Sequence, residues 1–422
     1  MKNRPDPISP AKTLMLAVLG AVLCTGATAQ ARTFKAVHYF TGGQDGGGPS
    51  SGVILDPSGN LYGTTVGGGD AGCFNGTCGV VFELTPGLGG WSESVLYTFT
   101  GSSDGGNPES GLIFDGAGNL YGTTYSGGTA GCGFGNGVAF ELTPSSGGWV
   151  ESVLYDFGGT GGCNPLAGLI FDKKGNLYST VPNGGSSGNG SVYKLAKSAG
   201  GWKEYTLYSF NGNDTGIEPV AAPLLDAAGN LYGTTLCCGT GGSVWELLHG
   251  SWKEKTLYSF VSGGGANSWA GLVFDKHGNL YGTTRSGGKY ENGVVFKLTP
   301  GAKGKWKETV LHNFRGGSDG SQPFSTPVFD KVGNLYGTTY WGGNPSCNPP
   351  HGCGTVFKLT PGTKSTWKET ILHRFNGSDG LGPEPEKLAF DAAGNIYGTA
   401  TLGGHPGCDY NFGCGVVFEI TP

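Results

Sequence analysis

VHYFTGGQDGGGPSSGVILD, residues 37–56, aligns without a gap with LYTFTGSSDGGNPESGLIFD, residues 96–115. The second stretch ends one unit of an internal repeat and opens the next. The first stands ahead of the first unit, so its leading apolar segment has no unit of its own. The far end of the chain shows the complement. GCGVVFEITP (413–422) matches GVVFELTP (79–86) and GVVFKLTP (293–300), but each of those is followed by a further apolar segment such as WSESVLYTF (91–99). The start of the chain therefore carries the segment that its end lacks.

Between these ends a motif recurs seven times: GNLYGTT at 59–65, 118–124, 229–235, 278–284 and 333–339, GNLYSTV at 175–181 and GNIYGTA at 394–400. Its asparagines, Asn60 to Asn395, are spaced 49 to 61 residues apart. Each unit divides into four strand-like pieces, and a period near fifty with four strands is the signature of propeller blades. Stacked β-helix repeats are much shorter. Strand A is GLIFD-like (111–115), and a tight turn such as GAGN leads to strand B, LYGTT. A Gly-rich loop then precedes strand C, GVAFELTP (137–144), and strand D, WVESVLYDF (149–157), ends the unit.

The predicted fold is all-β: a seven-bladed β-propeller of four-stranded blades. Residues 33–40 supply strand D of the last blade, beside 387–391, 395–400 and 415–420. Without that docking, both ends would present an unpaired strand edge. Residues 32–35 lack the Trp and Glu that open the other D strands.

Composition agrees. Of 422 residues 85 are Gly and only 14% are charged, which suits a turn-dense β chain better than a helical one. Aromatics at 12% supply a core that a disordered chain would lack. Residues 1–29 read as a signal peptide, leaving 30–422 as one propeller domain. Lys2, Arg4 and Lys12 precede the apolar run Leu14–Leu23, and Ala27-Thr28-Ala29 offers a cleavage site. The run is short for a transmembrane anchor, and Leu23 before Cys24 is a poor lipoprotein signal. Removing those residues changes the charge from 26 − 31 = −5 to 23 − 30 = −7, without basic runs, which argues against nucleic acid as a partner. Monomer is the default expectation.

D-x-x-G-N-L-Y-G-T-T followed by G-x-V-F-x-L-T-P resembles the GloVer tandem-repeat family of exported bacterial proteins, across nearly all of the chain after residue 29. The resemblance implies secretion or surface display, often through C-terminal anchors, whereas here the repeats run to the last residue. It brings no assigned activity and no catalytic residues.

In an A-B-C-D blade the B–C and D–A loops emerge on one side of the disc, and all ten cysteines after Cys24 fall there. Exported chains with an even cysteine count form disulfides. The expected pairs are Cys73–Cys78, Cys347–Cys353 and Cys408–Cys414, each bracketing a B–C loop, with Cys132–Cys163 between neighbouring loops and the vicinal Cys237–Cys238. The spacings are not those of a zinc site. Such short loops should be shaped by the pairs more than the fold is held by them.

Candidate site residues come from three sets. His38, His312 and His373 occupy one D-strand position where Tyr97, Tyr155, Tyr208 and Tyr258 stand in other blades. Equivalent positions on the outermost strand lie too far apart to share one ion, so packing is expected and no metal site. Asp45, Asp104, Asp319 and Asp379 recur in Asp-Gly loops that could hold calcium but read as turns. Otherwise no cofactor is expected.

The third set is aromatic. Counting six residues back from the strand A Asp gives the channel rim as Ser50, Glu109, Leu166, Val220, Trp269, Phe324 and Pro385. Blades 5 and 6 also offer Arg285, Tyr290, Tyr340 and Trp341 in their B–C loops. Loop aromatics of this kind form binding surfaces. The expected patch therefore stacks a sugar ring or a peptide side chain on Trp269, Phe324, Tyr340, Trp341 and Tyr290, with Arg285 or Glu109 making polar contacts.

This favours a secreted or cell-surface binding protein for a glycan or protein ligand, held on the disulfide-bearing loop face. The alternative is an extracellular polysaccharide hydrolase or lyase, which needs two convergent carboxylates. Glu109 is the acid at the counted rim positions, with Glu218, Glu291, Glu384 and Glu386 nearby in sequence. A third reading, an envelope protein assembling through blade edges, has no feature in its favour.

Overall fold

The computed structural model describes Met1 and residues 32–421, apart from 70–77, 132–135, 159–160, 213–215, 237–240, 262–263, 364–365, 384–385 and 406–412. The expected signal peptide lies outside the described residues. Residues 32–422 form one compact unit.

Six four-stranded antiparallel sheets follow one another in chain order, each with its strands in the sequence A-B-C-D. Blade 2 is typical, with strands Ile113–Phe114, Leu120–Thr123, Val138–Ser145 and Gly148–Asp156. The seventh sheet joins the two ends of the chain. Thr33–Tyr39 lies antiparallel to Val416–Thr421, in a register running from Thr33 opposite Thr421 to Tyr39 opposite Val416. Strand Ile396–Leu402, strand Ala389–Phe390 and the short strand Leu381–Pro383, a fifth member from the loop ahead of strand A, complete it. The fold is the predicted seven-bladed propeller, closed by the predicted strand.

Each seam between blades has its own apolar core. A ring at the middle of strand C (Phe82, Phe140, Tyr193, Trp245, Phe296, Phe357, Phe418) is fully buried in every blade. It meets a Phe from the end of the preceding blade's strand D, as in Phe99 against Phe140 with ring centroids 5.1 Å apart. At the closing seam Phe40 meets Phe82, also at 5.1 Å. The N-terminal strand thus contributes to the core as the six other D strands do.

A glycine inside a strand marks close approach by another group, and in strand B that group is an aromatic ring and not a neighbouring backbone. A Cβ on Gly122 would sit 2.6 Å from Cζ of Phe140, its cross-strand partner within the same blade. Glycine is there to let the core ring lie flat on the sheet.

The repeated Asp, Asn and Tyr are structural. Asp115 Oδ1 accepts the N–H of Ala117 and Asn119, while Oδ2 accepts the Asn119 side-chain amide and the Tyr121 hydroxyl. Burial would raise the Asp115 carboxyl, but these bonds hold it below the ordinary range.

A second set of bonds ties blade to blade. One D–A loop residue per blade, Asn107 for instance, adopts a left-handed backbone and donates its N–H to the residue preceding strand C of the previous blade. Asn107 bonds the Cys78 carbonyl, Gly382 that of Cys353 and Gly48 that of Cys414. Three of the cysteines therefore sit at the carbonyls that staple adjacent blades together.

Candidate functional site

Residues preceding strand A from all seven blades surround a cavity of about 570 Å³ on the axis of the disc. The loop face forms its mouth. There the D–A loop of each blade pairs with the segment after strand B, for instance Gly106 with Ser126 and Ser321 with Trp341. Six of the seven rim positions obtained by counting do line the cavity: Ser50, Glu109, Leu166, Val220, Trp269 and Phe324. Pro385 lies outside the described residues.

The seam of blades 5 and 6 forms an aromatic wall. The rings of Trp269 and Phe324 meet edge to face at 5.6 Å, Phe324 meets Tyr340 at 5.3 Å, and Tyr340 meets Trp341 at 4.5 Å. The guanidinium of Arg285 lies over the Phe324 ring at 5.2 Å, and its Nε donates to Oε1 of Gln322 at 3.3 Å. Arg285 and Tyr340 line the cavity directly. Trp341 stands behind them and packs on the core that contains Cys347 and Cys353. Tyr290 does not join the patch: it is exposed, between Lys289 and Arg315.

Blade 2 faces that seam across the seven-fold ring, and its side is acidic. Glu109 lines the cavity with no hydrogen bond or ion pair among the described residues. Burial pushes its carboxyl up to about 7. The second acid is one of those noted nearby in sequence, which counting did not place at the rim. Glu386 of blade 7 reaches the axis, and its Oε1 accepts the backbone N–H of Gly111 at 3.1 Å. A Cβ on Gly111 would lie 2.3 Å from Glu386 Oε2. Lys387, also missed, adds a cation to the cavity lining. The signal was available, because the column holding Glu386 reads Ser51, Ser110, Ala167, Ala221, Ala270 and Ser325 in the other blades.

The three histidines remain apart, as expected, but they are not merely packed. His38 lies 4.0 Å from Glu93, His312 lies 3.4 Å from Asp319 and 3.5 Å from Glu369, and His373 lies 3.0 Å from Asp379. The loop acids Asp45, Asp104, Asp319 and Asp379 close their own turns through backbone N–H bonds, from Thr41, Thr100, Arg315 and Asn376.

Cys347 and Cys353 form the predicted disulfide. Cys78, Cys163 and Cys414 are also disulfide-bonded. Cys73, Cys132 and Cys408, expected as their partners, and the vicinal Cys237 and Cys238 lie outside the described residues. Among the described residues no helix is long and apolar enough to cross a membrane.

Solved structures resemble this chain at low identity. A fungal alcohol oxidase of the AA5 family, solved with copper, is 15% identical with a TM-score of 0.56, over 92% of this chain and 76% of that one. The extracellular domain of a protein assigned as a one-component system from B. thetaiotaomicron is 12% identical with a TM-score of 0.53, over 91% of this chain and 39% of that one. The Pseudomonas aeruginosa periplasmic gluconolactonase PpgL is 15% identical with a TM-score of 0.48, over 84% of this chain and 98% of that one. At such identities the likeness to the first two is one of fold alone. No curated protein matches the sequence. A sequence model of the Gloeobacter/Verrucomicrobia repeat matches residues 131–347, half of the chain, so the protein belongs to the Gloeobacter/Verrucomicrobia repeat family.

Proposed function

We propose that this protein is an exported propeller that binds a carbohydrate end in the mouth of its axial cavity. One observation carries the reading. A continuous aromatic wall, Trp269, Phe324 and Tyr340 with Arg285, faces the carboxylates of Glu109 and Glu386 across the same cavity. A pyranose has an apolar C–H face that stacks on aromatic rings and a rim of hydroxyls that bond to carboxylates and guanidinium. A cavity of about 570 Å³ lies in the range of small-ligand sites and admits one or two sugar rings rather than a folded partner. Export accords with the N-terminal sequence and with disulfides, which persist in oxidising compartments.

A second reading rests on Glu386. Two carboxylates at one cavity are what a glycoside hydrolase or lyase needs, and Glu109, held protonated towards neutral pH by burial, suits the proton donor. The experiment is a screen of immobilised glycans with the purified protein, followed by incubation with any glycan retained. Retention without new reducing ends or unsaturated products supports the binding reading. Turnover that disappears in both Glu109→Gln and Glu386→Gln supports the enzyme. Retention of peptides but of no glycan would overturn both.

A further inference from the structure

Strand D carries W-x-E in six blades, and the structure gives this repeated glutamate a location. Glu93, Glu151, Glu204, Glu308 and Glu369 each lie at a seam, towards the Tyr or His of the preceding blade. In blades with Tyr the contact is an ordinary polar one, such as the Tyr258 hydroxyl donating to Glu308 at 2.9 Å. The loop Asp joins at a Tyr seam as well, since the Tyr97 hydroxyl donates to Asp104 at 3.1 Å, but where His replaces Tyr the group gains an imidazole. At the seam of blades 7 and 1 the group is His38, Asp45 and Glu93. At that of blades 5 and 6 it is His312, Asp319 and Glu369. In each group the three ligand-type atoms lie within 4.8 Å of one another.

We infer that these two groups are rim sites for a divalent transition-metal cation of the zinc class, each clamping one blade to the next. The spacing fits. Donors about 2.0–2.2 Å from a tetrahedral zinc stand about 3.3–3.6 Å apart. Nε2 of His312 lies 3.4 Å from Asp319 Oδ2 and 3.5 Å from Glu369 Oε1. The donor atoms also need a partner. Among the described residues Nε2 of His38 and of His312 are buried and make no hydrogen bond; Oε1 of Glu93 and of Glu369 is in the same position, as it is for Glu151 and Glu308 at the Tyr seams, so the imidazoles make the difference. Buried polar atoms left so are costly unless a cation or a proton satisfies them. The nearest cations at the second site act on Glu369 only through space, since Arg315 lies over Tyr290 and Arg374 donates to the Ser318 carbonyl. At the first site Asp45 and Glu93 border an open cavity through which an ion can enter.

One imidazole with two carboxylates selects zinc-class ions over calcium, which takes oxygen donors. The supporting bonds are in place, because the Arg315 N–H holds Asp319 at 2.8 Å and the Thr41 N–H holds Asp45 at 2.8 Å.

The third histidine is an internal control. His373 has its Asp379, but the strand facing it is the N-terminal one, where Phe34 occupies the glutamate's position. The Phe34 ring stacks on His373 at 3.7 Å, so the third donor is missing.

The test is metal content and calorimetric titration of the full-length protein with Zn²⁺ alone, after chelator dialysis. Tyr occupies the histidine position in four other blades, so His38→Tyr and His312→Tyr are compatible with the fold. The expected result is two equivalents of zinc for the wild type, one for either substitution, none for the double variant, and two still for His373→Tyr. Glu369→Gln should also remove one. Absence of binding, or the same stoichiometry in the double variant as in the wild type, would overturn the inference. A third equivalent lost with His373→Tyr would overturn it too, because the glutamate would then be dispensable.

Discussion

Oε1 of Glu386 accepts the backbone N–H of Gly111 at 3.1 Å, joining residues 275 positions apart across the axis of the propeller. Blade 7 is thereby tied to blade 2 as well as to its neighbour, and the tie fixes a carboxylate in the cavity. A Cβ at 111 would meet only the carboxylate end of the Glu386 side chain, which must swing away and give up its bond. Gly111→Ala should therefore lower stability by about 0.5–1.5 kcal/mol, the usual net worth of one hydrogen bond. In a Glu386→Ala background the same substitution should cost little further, since the carboxylate it displaces is gone. Urea unfolding of the two single variants and the double variant measures the coupling.

Ring closure has its own test in Phe40. This side chain is fully buried and meets Phe82 as Phe99 meets Phe140. Phe40→Ala should therefore cost about 3–5 kcal/mol, as should Phe99→Ala. Denaturant midpoints of the two variants should fall together. A silent Phe40→Ala beside a costly Phe99→Ala would place the N-terminal strand outside the ring.

Glu109 should leave a pH signature. Its carboxyl is raised from the ordinary 4.5 to about 7 in the folded chain, chiefly by burial. Between those values the folded state holds a proton that the unfolded state has released, so stability falls as pH rises. The stabilising contribution is complete below the unfolded value and gone once pH passes the folded one. The fall in stability from pH 5 to pH 7.5 should be smaller in Glu109→Gln than in the wild type. Other buried carboxylates contribute equally to both, so the difference isolates this group.

The disulfide between Cys347 and Cys353 closes a loop six residues apart in sequence. In the chain-entropy model such a short closure contributes about 2 kcal/mol. Its position makes the consequence wider than loop shaping, because the Cys353 carbonyl accepts the Gly382 N–H of the next blade and Trp341 packs beside both cysteines. Replacing both by Ala should lower stability by about 2 kcal/mol and shift tryptophan fluorescence, while the far-UV spectrum stays that of the propeller.

Much of this was legible in the sequence. Because propeller blades repeat, aligning residues 37–56 with 96–115 placed the first strand beside the last, and counting back from the strand A Asp placed Trp269, Phe324 and Glu109 at the axis. Counting fails where side-chain reach decides. Glu386 stands in a column of Ser and Ala, and its length, not its register, brings it to blade 2. The rim groups were hidden for another reason. His312 and Glu369 are 57 residues apart on different blades, and their meeting depends on the angle between sheets, which a one-dimensional repeat does not encode. Even so, the six-fold W-x-E was in view, as was its loss at Phe34.

The central claim concerns the aromatic wall of the cavity, and Trp269 tests it most directly. Once a glycan is retained in the screen, calorimetric titration should show Trp269→Ala binding it at least tenfold more weakly than the wild type, with an unchanged unfolding midpoint, while Tyr290→Ala binds normally. Equal affinity in Trp269→Ala and the wild type would contradict a ligand seated at the axial mouth.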